Sequence, residues 1–167
     1  VVDETEAYPT LISESLLVDI LNYDLRAAHY IKLDIPPGRV RQLDCINVLQ
    51  YVPGWRRVPI WNEWQRLLVP GGRAQVVVPY YSHMQAFAHP QTEWPPMSEF
   101  SFMFLDKVWR NASPARAVED LECDLVIESM ATEMDAMYAT RTQEWKDEAL
   151  RWFLNCAVQM TVWLVKR

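Results

Sequence analysis

The chain has 167 residues and a mass of 19.6 kDa; 16 Lys+Arg stand against 22 Asp+Glu, giving a net charge of −6 and a pI near 5.1. That length suits one domain with a real core, and we expect a single domain over residues 1–167. Half of the residues are hydrophobic and 23% are charged, which excludes a disordered tail and a membrane protein, and an acidic chain lacks the basic face that argues for a nucleic-acid partner.

Eight Trp and eleven Pro contrast with four glycines, Gly38, Gly54, Gly71 and Gly72. A loop that cradles a nucleotide needs glycines, and neither G-x-G-x-x-G nor G-x-x-x-x-G-K-[ST] occurs. Cys45, Cys123 and Cys156 are odd in number and widely spaced, with no C-x-x-C. They read as reduced, buried thiols of a reducing compartment, with no metal site implied. The acidic, polar start shows no signal peptide, and no apolar run approaches a membrane span, so a cytoplasmic location is expected. The first residue is Val1, which leaves open a removed initiator Met or a fragment.

Leu16 to Leu21 is apolar around Asp19, and fits either a buried strand or a helix capped by Ser13. His29 to Leu33 reads as a short strand, broken by Pro36-Pro37-Gly38. Leu43 to Leu49 reads as a buried strand that stops before Pro53-Gly54. Trp55 to Leu68 is the clearest helix, with Trp61, Trp64, Leu67 and Leu68 on one face. Pro59 is expected in its first turn, and Pro70-Gly71-Gly72 is expected to end it. Arg73 to Pro79 is rich in β-branched residues and reads as a strand. Tyr80 to Pro96 is a long connection whose aromatics favour order. Met97 to Trp109 reads as one helix, Leu121 to Ile127 as a strand, Arg141 to Asn155 as a helix and Val158 to Val165 as an alternating strand. Met130 to Thr140 is ambiguous. The order predicts an α/β layered domain with a largely parallel sheet and an antiparallel C-terminal strand.

The run Leu43-Asp44-Cys45-Ile46-Asn47-Val48-Leu49-Gln50-Tyr51-Val52-Pro53 resembles the fourth strand of class I S-adenosylmethionine (SAM)-dependent methyltransferases, which ends in V-L-E-H-[IVL]-P. Trp64 to Arg73 is similar to that family's R-x-L-K-P-G-G-R run, and Ala74 to Pro79 follows as its fifth strand. Tyr80-Tyr81-Ser82 and Ser98-Glu99-Phe100 resemble a methyltransferase type 11-like subgroup of bacteria and phages. Gln50 and Tyr51 stand where that family has Glu and His, and His89-Pro90-Gln91-Thr92 where the subgroup has D-P-T-H. The resemblance implies a Rossmann-like methyltransferase sheet with SAM as cofactor. It places Asp19 at the ribose, Asp34 on the adenine side, and Ile46 and Asn47 where strand four meets the cofactor. Tyr80, Tyr81, Ser82, His83 and His89 then face the acceptor, with His83, His89 and Tyr81 as the catalytic candidates; no metal is implied. Arg56, Arg57, Arg66 and Arg73 form either a solvated face or a small anion patch.

The resemblance also requires a first strand ending in a glycine turn. Val1 to Ser15 contains no glycine, and a side chain there fills the space of the cofactor's carboxypropyl part. The expected fold is therefore truncated or degenerate at its N-terminal part. Two readings follow. One is a domain that has lost SAM binding and acts by contact with a protein partner or its own copies, virion-associated if phage-derived. The other is a working methyltransferase whose cofactor loop comes from a missing segment or partner chain. A third reading, an unrelated α/β binding domain, fails if the helix Trp55 to Leu68 feeds a central parallel strand at Ala74 to Val78.

Overall fold

A computed structural model describes residues 33–167, and among them four strands form one mixed sheet in the order β1-β2-β4-β3. The strands are β1 (Val40–Ile46), β2 (Leu68–Pro79), β3 (Leu125–Met134) and β4 (Ala157–Lys166). The helices are α1 (Gly54–Leu67), α2 (Gln85–Ala88), α3 (Glu99–Met103), α4 (Lys107–Asn111) and α5 (Gln143–Trp152), with short 3-10 turns between. The stretches Leu16 to Leu21 and 29–32, with Asp19, lie outside the described residues.

β1 runs parallel to β2, and the connection through α1 is a βαβ crossover, the connection a parallel pair demands. β4 is antiparallel to both β2 and β3. The helix thus feeds a central strand that pairs in parallel with its neighbour, which removes the reading as an unrelated binding domain. The sheet among the described residues is not largely parallel: one of its pairings is parallel and two are antiparallel.

The register places Leu43 opposite Ala74 and Cys45 opposite Val76, and then Ala74 opposite Leu164, Val76 opposite Val162 and Val78 opposite Met160. All eight are essentially buried. They form one apolar face against Ile60, Trp61, Trp64 and Leu67 of α1, with Phe102 and Leu105 in the same core. The opposite face carries Gln42, Asp44, Arg73, Gln75, Gln159 and Thr161 together with the apolar Ile46, Val77, Trp163 and Val165. Fully burying one such apolar side chain stabilises the fold by about 1.5–3 kcal/mol.

Several boundaries differ from the sequence reading. The first described strand starts at Val40 and stops at Ile46, because Asn47 adopts a positive φ of 55° and leads into the 3-10 turn Leu49–Tyr51. Pro59 lies inside α1, in the second turn rather than the first. α1 stops at Leu67, ahead of the Pro-Gly-Gly run, with Leu68 already extended. Val40 faces Leu68 and Gln42 faces Arg73, so Pro70-Gly71-Gly72 is looped out of β2. Gly71 has φ +73°, and a Cβ on Gly72 would lie 2.9 Å from the Val69 carbonyl and 3.2 Å from those of Val40 and Arg41. Glycine is required here by backbone crowding, not by helix termination.

The expected helix Met97 to Trp109 is two helices. Asp106 breaks it: its carboxylate accepts from the N–H groups of Val108 (2.8 Å) and Trp109 (3.2 Å), which starts α4 afresh. The expected strand Leu121 to Ile127 begins instead at Leu125. Asn62 of α1 accepts from the N–H groups of Glu122 and Cys123 and donates to the Asp120 carbonyl. Arg110 of α4 donates to the carbonyls of Leu121 and Cys123. These side chains use the backbone groups that a ladder would need. β3 then runs through Met134, which resolves the ambiguous stretch after Met130.

The arginines of the expected anion patch are occupied. Arg66 pairs with Glu63 through two oxygens at 2.6 and 2.7 Å, and Arg73 pairs with Glu128. Arg56 and Arg57 are buried. The three cysteines are free and buried. Burial pushes the Cys45 thiol up to about 12 and that of Cys123 up to about 11. No described helix is long and apolar enough to cross a membrane. Among the described residues no cluster of His, Cys, Asp and Glu is arranged to hold a metal ion.

Candidate functional site

β1 and β2 point their carboxyl ends at one edge of the sheet, where ligands of open α/β sheets bind. β1 ends in Ile46, 41% exposed, and in Asn47, whose N–H donates to the Val77 carbonyl at 2.8 Å. That bond ties the end of β1 to β2. β2 ends in Pro79 and continues into Tyr80 to His83.

Tyr80 is buried, and its hydroxyl donates to Glu99 at 2.8 Å. Burial first, and then the Glu99 contact, holds this phenol far above its ordinary range, so it stays a neutral donor. Tyr81 lies beside it, its ring tilted at 49° with 4.9 Å between ring centres, and is 38% exposed. His83 closes a turn on the Tyr80 carbonyl and is 7% exposed. Its Nδ1 accepts from the Gln85 N–H at 3.2 Å. Ser82 is buried and its hydroxyl has no hydrogen-bond partner among the described residues.

His89 is exposed; its Nδ1 accepts from Gln91, and its ring meets the edge of Tyr51 at 5.2 Å. It sits beside the residues that follow β1, whereas His83 follows β2. Asp34 lies at the other edge of the sheet. It is exposed and precedes β1, between Leu33 and Ile35, whose carbonyls accept from Arg66 at the far end of α1. A seven-residue strand separates that edge from Ile46 and Asn47, roughly 20 Å at strand rise. The structure thus brings Ile46, Asn47, Tyr81 and His83 to one edge, and leaves Asp34 away from it. Asp19 lies outside the described residues.

Two residues at this edge carry no motif signal. Asn155, with φ +59°, accepts from the Met84 N–H through its side chain (2.7 Å) and donates its own N–H to the Ser82 carbonyl (3.1 Å). It clasps the turn after β2 to the start of β4. Arg57 is 3% exposed and donates to the carbonyls of Val52 (2.9 Å), Pro95 (2.6 Å) and Glu93 (3.3 Å). Burial lowers its pKa to about 10, against the favourable field of Glu93. The positive φ of Asn155 shows only in the structure, in a region that asparagine adopts more readily than most residues.

The glycines bear on whether SAM fits these residues. Gly38, Gly71 and Gly72 lie at the amino edge, since Gly38 bonds to the Arg66 carbonyl and the other two loop out opposite Val40. Gly54 is packed under Pro95, whose Cδ would be 2.8 Å from an added Cβ. None of these glycines leaves room at the carboxyl end of a described strand. The described residues alone do not form a cradle for the cofactor's methionine part.

No protein-family model matches this chain, and no curated protein matches it. Solved structures do. The sheet order and its helices give the Rossmann-like fold of SAM-dependent methyltransferases. A SAM-dependent methyltransferase from Archaeoglobus fulgidus matches with a TM-score of 0.50 at 11% identity, over 79% of this chain and 62% of that one. This chain therefore spans less than two thirds of that protein. A putative type 11 methyltransferase from Sulfolobus solfataricus matches at 0.43 and 13% identity, over 80% of this chain and 54% of that one. A SAM-dependent methyltransferase from Mesorhizobium loti matches at 0.41 and 17%, over 92% and 77%.

Proposed function

We propose that this chain is a methyltransferase-like domain that acts by contact with another protein rather than by transferring a methyl group. The observation that carries the reading is the placement of the glycines. Each has a structural duty, at the amino edge or under Pro95, and no glycine occurs in Val1 to Ser15. Among the described residues no glycine supplies the side-chain-free bend beside which an adenosyl sulfonium sits.

The test is calorimetric titration of the purified chain with SAM and with S-adenosylhomocysteine. No heat up to millimolar ligand is expected. Micromolar binding overturns the reading.

A second reading is favoured by Ile46 and Asn47, which stand exposed at the carboxyl end of β1 where the fold's cofactor would pass. In it, another polypeptide segment completes the cradle and this chain contributes the acceptor side through Tyr81 and His83. SAM binding that appears only when such a segment is added distinguishes it.

A further inference from the structure

We propose that the outer side of β3, from Met130 to Thr132, is a self-association surface that pairs with β3 of a second copy of this chain, antiparallel and about a twofold axis at Ala131. The proposal names the chain's own copy as the partner of the contact reading and rests on it.

The first observation is where the backbone of β3 points. β3 is the last strand in the order β1-β2-β4-β3, with β4 on one side only. Successive residues of an antiparallel strand turn their backbone groups alternately to either side. Along β4 the Val158 carbonyl accepts from Tyr80 on the β2 side (3.0 Å), and the Arg167 N–H donates to the Asp124 carbonyl on the β3 side (3.2 Å). Gln159, Thr161 and Trp163 therefore turn to β3, where they face Glu133, Ala131 and Ser129. Met130 and Thr132 lie between these and turn their N–H and carbonyl groups away from β4. At Leu125 the outward N–H still meets the Leu105 carbonyl (3.0 Å). Among the described residues, no backbone group meets Met130 or Thr132 in that way.

The second observation is that this side is open and unprotected. A groove of about 950 Å³ is lined by Met130 to Ala136 together with Gln143, Lys146, Asp147 and Leu150 of α5, which leaves space beside the strand. Ser129 to Thr132 contains neither the lysine nor the proline that commonly keeps outer strands apart. Met130 is 42% exposed, and Ala131 is exposed. Pairing shifts at Ile127/Ser129 and at Glu133/Met134 bound the row, so the added ladder is short and the association reversible.

The third observation selects the occupant. A strand laid on this row must offer two outward residues, one on each side of an inward one, and β3 itself does so. Reversed about Ala131, Met130 of one copy faces Thr132 of the other, and every outward N–H of the row finds a carbonyl. Ala131 then faces its own counterpart in a pair without mutual bonds, where Cα atoms approach to about 4.5 Å and a small side chain suits. Charge agrees. The ionisable groups of β3 are Glu128 and Glu133. Glu133 faces Ser129 of the second copy, whose hydroxyl donates to it. Glu128, paired with Arg73, lies beyond the shift at Ile127/Ser129, so no carboxylate faces another. The Lys146 ammonium in the groove is turned to the Ala139 carbonyl (2.8 Å), and the row itself is neutral.

The experiment uses the full chain in sedimentation equilibrium from about 10 μM to about 1 mM, with amide exchange followed by NMR. The weight-average mass should rise from 19.6 kDa toward twice that value, and exchange at the Met130 and Thr132 amides should slow as it does. Thr132→Pro removes an outward N–H and spares the β4 ladder, so it should weaken association about tenfold or more with the far-UV spectrum unchanged. Ala131→Lys and Ala131→Glu should each weaken it about threefold or more. Mixed in equal amounts, those two chains should associate more tightly than either alone, because the axis sets residue 131 against itself. A chain that stays monomeric at every concentration, or amides of Met130 and Thr132 already slow in the monomer, overturns the proposal. So does association indifferent to Thr132→Pro, or a mixture no tighter than its components. Titrating SAM against the parent chain separates the two readings. If SAM binds and the pairing persists, contact-only function falls and the pairing stands; a chain that binds no SAM and stays monomeric removes the pairing alone.

Discussion

At the amino edge of β1 and β2, Glu63, Arg66 and Lys166 meet partners from the same chain. Glu63 receives Arg66 and the Leu33 N–H, Arg66 reaches the carbonyls of Leu33 and Ile35, and Lys166 donates to the carbonyls of Gln65 in α1 and Leu68 at the start of β2. At the carboxyl edge, Ile46, Tyr81, Met84, Phe87 and Trp94 stand 38–73% exposed on backbone held from behind. One edge is closed upon itself and the other is presented. The difference teaches that satisfied polar groups and exposed apolar side chains are separated along the strand axis, so the two edges should answer differently to substitution.

The largest effect belongs to the closed edge. Glu63→Ala leaves the Arg66 charge and the Leu33 N–H without their carboxylate in a site where Glu63 is 4% exposed. We expect a loss of about 3 kcal/mol, read as a fall in the urea midpoint at constant slope. An unchanged midpoint breaks the contrast outright. Arg57→Ala comes next, at about 2 kcal/mol, because three carbonyls lose their donor. Its distinguishing mark is local: amide exchange should rise around 93–95 before the rest of the chain opens. Gly72→Ala should cost about 2 kcal/mol, since its methyl would press on backbone carbonyls that cannot retreat.

Asp106→Ala is a smaller and pH-dependent change. Burial works to raise the Asp106 pKa, but the N–H groups of Trp109 and Val108 together with Arg167 outweigh it and hold the carboxyl below its usual value. A depressed carboxylate stabilises fully above its unfolded pKa, near 3.9, and loses that contribution as pH falls through the folded value. The substitution should therefore cost about 1 kcal/mol at neutral pH, with the gap to the parent chain closing in acid below about pH 4. A gap that is independent of pH contradicts the cap. Trp94→Ala at the presented edge is the smallest of the set, within about 0.5 kcal/mol, and a larger loss in thermal unfolding would mean that the surface is part of the core.

How much of this was legible follows the range of the interactions. α1 and β4 show their character in runs of adjacent residues: the Trp61, Trp64 and Leu67 spacing, and the alternation from Val158 to Val165. The offset of β3 was hidden, because Asn62 and Arg110 take up the backbone of Leu121 to Cys123 from elements distant in the chain. The break between α3 and α4 was written in one residue, Asp106, whose capping power is local but whose helical context masked it. The resemblance to a known strand ending led to Ile46 and Asn47 at the presented edge. Asn155 escaped notice and Arg57 was read only as one of a group of arginines, because what they hold, Met84 and Glu93, lies 71 and 36 positions away.

The silent thiols have a practical consequence. With Cys45, Cys123 and Cys156 enclosed and their protons tightly retained, a maleimide dye added briefly at neutral pH has almost no nucleophile to find on the intact chain. One engineered cysteine near Trp94 would then take the label alone, and the native sulfurs would become a built-in clock for opening events, each unmasked only when its own shelter parts.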